Sequence, residues 1–115
     1  MSNPIPLLNV TIATSLPRLG ADDAIYTYKA VTRHDVLRMV EHRGHVSYIG
    51  HESTAQVLAD LLETNVVVNR EAYQQAVGES AICFKLNGRG PEGRILDRKE
   101  IEEIGYDFYV CKRLQ

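Results

Sequence analysis

Residues 46–49 form a strand-like run, Val-Ser-Tyr-Ile, and residues 55–63 carry an apolar stripe at helical spacing, Val57, Leu58, Leu61 and Leu62. Only Gly50-His51-Glu52-Ser53-Thr54 separates the two. A strand that becomes a helix through so short a turn places a glycine, a histidine and two hydroxyls at a helix mouth. Ser53 to Gln56 has the form of a capping box, which puts the cap at Ser53 and His51 just ahead of the helix. The first backbone N–H groups of a helix lack partners within it, and that end carries partial positive charge. Such a place suits a phosphate. A histidine beside it can give a proton to a phosphate oxygen or take one from a hydroxyl. The expectation is a phosphate-facing turn bearing an acid–base group.

The same short alternation of strand and helix runs through the rest of the chain. Residues 5–14 read as a first strand, with Asn9 as its one poor strand former, either at a bulge or with its amide needed on that face. Residues 16–23 are a loop and 24–31 a second strand. Thr32 to Asp35 is a capping box, followed by a helix with Val36, Leu37 and Val40 inward and a stop at Gly44. Residues 45–49 make the third strand and 66–68 a very short one. Asn69-Arg70-Glu71 starts a short helix or a turn. Residues 80–86 form a strand with Ile82, Phe84 and Leu86 on one face. Residues 87–94 hold three glycines and a proline among Arg89, Glu92 and Arg94, and read as a surface loop. Asp97 to Glu100 is a further box-like cap ahead of Ile101 and Ile104, with a stop at Gly105. Residues 106–114 are the last strand. This pattern predicts one α/β (α+β mixed) domain over residues 1–115, a single mixed β-sheet flanked by short helices.

Total charge narrows the partners. The chain has 115 residues and a formal net charge of −2, with no basic tail, which disfavours a role in coating long nucleic acid. A small anion needs only a few local arginines. Cys83 and Cys111 fall in apolar runs and read as buried, reduced thiols of a cytoplasmic protein. No signal peptide is visible and no apolar run approaches the ~20 residues of a membrane helix, so no membrane role is expected.

Three features can carry chemistry. A lone histidine is more often structural or simply exposed, but the position of His51 raises its claim. Arg89 with Glu92 is either a solvated pair of little energetic worth or part of a lid that lays a guanidinium fork on a phosphate. Arg70 follows a buried-looking valine triplet at a helix start, where a cation opposes the dipole and so hints at a nearby anion. His34, His42 and His45 match no common zinc spacing, and no metal or cofactor is expected. The glycines of residues 88–93 have the spacing of a dinucleotide fingerprint, but a proline interrupts them and no helix opens there.

Residues 49–56 (Ile-Gly-His-Glu-Ser-Thr-Ala-Gln), the apolar helix after them, Asn69-Arg70, Leu7-Leu8-Asn9 and the Arg89…Glu92-Gly93-Arg94 loop together resemble the viral ring nuclease family. This is the type III anti-CRISPR family, found in viruses and in some bacterial genomes, and the likeness runs over residues 5–113. It implies a homodimer that binds cyclic tetra-adenylate across its two-fold axis. The ring would be cut without metal into linear di-adenylates, silencing type III CRISPR signalling in the host cytoplasm. On this resemblance His51, Arg89 and Glu92 are the catalytic positions. Arg70, Asn9, Gly50, Ser53 and Thr54 are the substrate-binding ones. The ribose 2′-OH would be the nucleophile and His51 the acid for the departing oxygen. Gly90-Pro91 departs from the family pattern and keeps open the alternative of a protein that sequesters the cyclic nucleotide without cutting it. A third alternative is an interaction domain whose arginines are only surface.

Overall fold

A computed structural model of the chain describes residues 4–9, 16–88 and 96–115. In chain order the elements are β1 (Ile5–Leu8), β2 (Tyr26–Val31), α1 (Arg33–Arg43), β3 (His45–Ser47), α2 (Glu52–Leu62), β4 (Ser80–Leu86), α3 (Arg98–Ile104) and β5 (Tyr106–Arg113). The strands form one mixed sheet in the order β2-β5-β4-β1-β3. β1 runs parallel to both neighbours, with Leu7 opposite Ser47 of β3 and Ile82 of β4. β4–β5 and β5–β2 are antiparallel. Three mutually parallel strands thus lie beside an antiparallel ribbon.

Alternation along the strands divides the apolar residues between two faces. Ile5, Leu7, Ile82, Phe84 and Phe108 point to one face. There they meet Val36 and Val40 of α1, the Val57, Leu58, Leu61 and Leu62 stripe of α2, and Ile101 of α3. All three described helices therefore serve one core, the arrangement of an α+β layer. On the other face Leu8, Ala81, Cys83 and Cys111 pack with Tyr73, and Tyr26, Tyr48 and Tyr109 flank them. The irregular segment 69–79 covers part of this second face. Gln75, only 2% exposed, donates from its amide to the carbonyls of Glu79 (2.8 Å) and Cys111 (2.9 Å). The Tyr73 hydroxyl donates to Glu79 at 2.9 Å, and the Tyr73 ring lies 4.8 Å from that of Tyr48.

Local signals account for the helix ends. Thr32 caps α1 and Asp97 caps α3, each with a complete capping box, and Gly44 and Gly105 end these helices with positive φ. The Thr32 backbone N–H, then its hydroxyl, hold the Asp35 carboxyl below its ordinary pKa. A depressed folded value favours the carboxylate. This cap therefore contributes above the unfolded pKa and loses its contribution as pH falls through the lower folded one. α2 instead ends on Glu63 in the left-handed region, φ 54°. Its C-terminal carbonyl at Leu61 accepts from the Arg33 guanidinium at 2.7 Å, and Arg98 bridges Asp60 at 2.7 Å. Asp60, itself half-exposed, is thus a point where α2 is tied to α3.

Both cysteines are free and buried. Burial, with Cys111 beside it, pushes the Cys83 thiol up to about 12. Since the thiolate is the reactive form, Cys83 is expected to resist iodoacetamide at pH 8 in the folded protein and to react at an ordinary rate in urea. Mass spectrometry of the alkylated chain checks this.

Two strand readings change. Residues 45–49 do not form one strand: β3 stops at Ser47, and Ile49 makes an isolated parallel bridge with Val68. The Val66–Val68 triplet is not buried as its composition suggested. Val67 is 66% and Val68 40% exposed, because the segment lies outside β3 at the margin of the sheet and, among the described residues, no element packs beyond it. The predicted first strand extends past Leu8 into residues 10–14, which lie outside the described residues.

Candidate functional site

Parallel strands bring their carboxyl ends to one side, and ligands of such sheets bind there. β3, β1 and β4 share one direction. The turn after β3 carries Gly50 and His51, the residue after β1 is the half-buried Asn9, and Gly88 follows β4. β5 begins at the same end, where the Asn87 N–H donates to the Gly105 carbonyl at 2.9 Å. The topology thus gathers the His51 turn, Asn9 and the Asn87-Gly88 exit from β4. Arg89 and Glu92 themselves lie outside the described residues.

The cap of α2 is not Ser53. Helical geometry begins at Glu52, and His51 is the N-cap, extended at φ −122°, ψ 129°, with its carbonyl accepting the Ala55 N–H at 3.0 Å. Ala55 and Leu58 are both buried on α2, and Ser53 and Thr54 lie inside its first turn. The exposed imidazole makes no capping hydrogen bond. The opening N–H groups of α2 are therefore left without the side-chain acceptor a Ser, Thr, Asp or Asn would supply. Ser53 is exposed and Thr54 half-buried on that first turn. Glu52, also there, accepts from the Gln56 amide at 3.4 Å.

Arg70 is not at a helix start. Residues 69–76 have no regular structure, and Asn69 Oδ1 accepts the Glu71 N–H at 3.0 Å, an Asx turn. The dipole misfit inferred for Arg70 therefore has no basis. Its placement beside His51 has a different origin: the Nε–H donates to the Gly50 carbonyl at 3.1 Å. Among the described residues the guanidinium makes no other hydrogen bond, so its terminal amino groups remain as donors to a ligand. Two further residues complete the arrangement: Ser47, which is 4% exposed and was not singled out by sequence, and Asn69, which was quoted beside Arg70 but given no role. Ser47 Oγ donates to the Val67 carbonyl and accepts the Ile49 N–H at 3.2 Å. Asn69 donates its amide to the Ser47 carbonyl at 2.9 Å and its N–H to the Ile49 carbonyl at 2.8 Å. The available signal was the asparagine before Arg70, a residue type that favours side-chain-to-backbone turns.

Among the described residues the site thus offers one exposed imidazole, one guanidinium and a helix mouth with donors to spare. That set can bind an anionic group and move a proton beside it. Among the described residues no helix is long and apolar enough to cross a membrane.

Comparison with known proteins agrees with this architecture. The uncharacterized protein YddF of Bacillus subtilis (strain 168) is 33% identical over 112 residues, spanning 96% of this chain and 97% of its own. Protein ORF117 of Acidianus two-tailed virus is 42% identical over 71 residues, 61% of each chain. Among solved structures, B116 of Sulfolobus turreted icosahedral virus has the same fold, with a TM-score of 0.77 at 23% identity, covering 96% of this chain and 99% of that one. A family model described as STIV B116-like matches residues 5–108, a span that includes every candidate residue named above. The chain therefore belongs to the STIV B116-like family.

Proposed function

We propose that the chain is a metal-independent ring nuclease that cleaves cyclic tetra-adenylate to linear di-adenylates, and so an antagonist of type III CRISPR signalling. The observation that carries this reading is the His51 cap: an exposed imidazole, unengaged as a cap, at the mouth of α2 with Arg70 on the adjoining carbonyl. The motifs that resemble the ring nucleases support the same assignment, and the chain has viral relatives.

The substrate supplies its own nucleophile. A ribose 2′-OH attacks the adjacent phosphorus, the P–O5′ bond breaks, and a 2′,3′-cyclic phosphate results. The proton lost by the 2′-OH passes to water, and His51, as imidazolium, protonates the departing 5′-oxygen. The α2 N–H groups and the Arg70 guanidinium hold the phosphate, and holding it in line with the attacking oxygen is the larger part of the task. Arg89 stabilises charge on the phosphate oxygens and Glu92 orients the loop or the 2′-OH. A homodimer presents two copies of this site to a two-fold symmetric ring, so opposite linkages break and two di-adenylates leave.

The test is chromatography of cyclic tetra-adenylate after incubation with the protein and a chelator. Di-adenylates ending in a 2′,3′-cyclic phosphate are expected. An intact ring that stays tightly bound would replace cleavage by sequestration, and an unbound ring would remove the reading altogether.

Gly50 gives a second test. Its φ is not in the left-handed region, and a Cβ there would meet Arg70 Cγ at 3.6 Å, an ordinary contact. Gly50→Ala is thus expected to fold with a stability within about 1 kcal/mol of wild type. The added methyl lies against the Arg70 side chain, whose guanidinium holds the phosphate in this reading. Cyclic tetra-adenylate is therefore expected to bind about tenfold more weakly, a loss of about 1.4 kcal/mol in calorimetry.

A further inference from the structure

We propose that Asn69, acting with Ser47, is a positioning residue that clips the 67–70 segment onto the His51 turn and so sets where the Arg70 guanidinium stands relative to the imidazole. This rests on the ring-nuclease reading for the chemistry it serves. The clip itself stands on four tethers between residues 47–50 and 67–70. Ser47 Oγ bonds the Val67 carbonyl, the Asn69 amide bonds the Ser47 carbonyl, the Asn69 N–H bonds the Ile49 carbonyl, and Arg70 Nε bonds the Gly50 carbonyl.

Among the described residues little else holds this segment. It has no helix or strand of its own beyond the single Ile49–Val68 bridge, and Val67 and Val68 are too exposed to anchor it by burial. Asn69 supplies what packing does not. Its amide reaches back to Ser47 while its Oδ1 accepts the Glu71 N–H, so Arg70 is bracketed by two residues whose backbones are pinned. Ser47 fixes the other half, because its hydroxyl also accepts the Ile49 N–H and shapes the two residues before His51. Arg70 gives its Nε–H to Gly50, and its terminal amino groups are then left as donors toward a phosphate.

A residue that only closed the sheet edge would affect stability without coupling to the site. The isosteric change Asn69→Asp separates the two roles. It keeps an acceptor for Glu71 but turns an oxygen toward the Ser47 carbonyl. Single-turnover cleavage of cyclic tetra-adenylate is expected to slow between about 10- and 100-fold. Arg70→Ala, which slows the wild type, should add little in the Asn69→Asp background, because the two changes remove one arrangement. Ser47→Ala repeats the cycle from the other side should Asn69→Asp not fold. Additive losses, an undiminished rate in both single variants, or unfolding of both would overturn the proposal. If wild type neither binds nor cleaves the ring, the functional reading fails separately. The clip is then decided by NMR exchange of the Arg70 Nε proton. Exchange that becomes fast in the folded Asn69→Asp variant supports positioning, and exchange that stays slow refutes it.

Discussion

His51→Ala is expected to slow cyclic tetra-adenylate cleavage by about 10²–10⁴-fold, the usual worth of a positioned proton donor. The fold should be untouched, because the imidazole is exposed and caps nothing. His51→Ser separates stability from activity more sharply. A hydroxyl at the N-cap can accept an N–H of the first turn, so this variant should be more stable by about 1 kcal/mol. That corresponds to roughly 4 °C in Tm. It should nevertheless be as inactive as the alanine variant. A residue whose replacement stabilises the protein while abolishing its activity has been kept for chemistry rather than folding. Product chromatography and a thermal melt on the same samples make the comparison. A full cleavage rate in His51→Ala would remove the imidazole from the mechanism.

The largest structural effect is expected at Phe108. It is 1% exposed, lies directly opposite Phe84 across the β4–β5 pair, and its ring is 5.3 Å from that of Phe84 and 5.7 Å from that of Tyr106. On its other side Val31 of β2 is its strand partner. Phe108→Ala removes the ring on which two strand pairs and the helix-facing core meet, and should cost about 3–5 kcal/mol. For a domain whose whole stability is of order 5–15 kcal/mol, that is a large share. Urea denaturation should show the midpoint falling at unchanged slope. The neighbouring Tyr109 points to the opposite, half-open face, and Tyr109→Ala should cost clearly less. Equal costs for the two would mean that the core is not divided by face as described.

Where the chain carried local chemistry, its structure could be read directly. The boxes at Thr32–Asp35 and Asp97–Glu100 and the glycines at 44 and 105 placed α1 and α3 to within a residue, because caps and left-handed stops act over three or four residues. The apolar stripe identified α2, but Ser53 misled about its start. The same hydroxyl pattern serves a cap or a first turn, and the pattern alone does not distinguish the two. Its end carried no glycine signal, since Glu63 takes the left-handed position itself. The Val66–Val68 run reads as buried by composition and is half-exposed by position, a distinction only the neighbours of a segment can make. The His51–Arg70 meeting was legible as two separate residues. Their joining through Gly50, Ser47 and Asn69 spans some twenty residues of chain and depends on tertiary hydrogen bonds that have no periodic signature.

The place of β5 has a consequence for synthesis of the chain. Among the described residues every ladder bond of β2 is made to β5, with Tyr26 opposite Arg113 and Val31 opposite Phe108, so β2 is translated long before that neighbour exists. Until then it is an orphan edge, rich in the aromatic and β-branched residues that invite pairing with another chain. Pairings of such long sequence separation are slow to form, over milliseconds to seconds. Lys29, in the middle of that strand and exposed in the finished sheet, places a charge where such pairing with another chain would bury it.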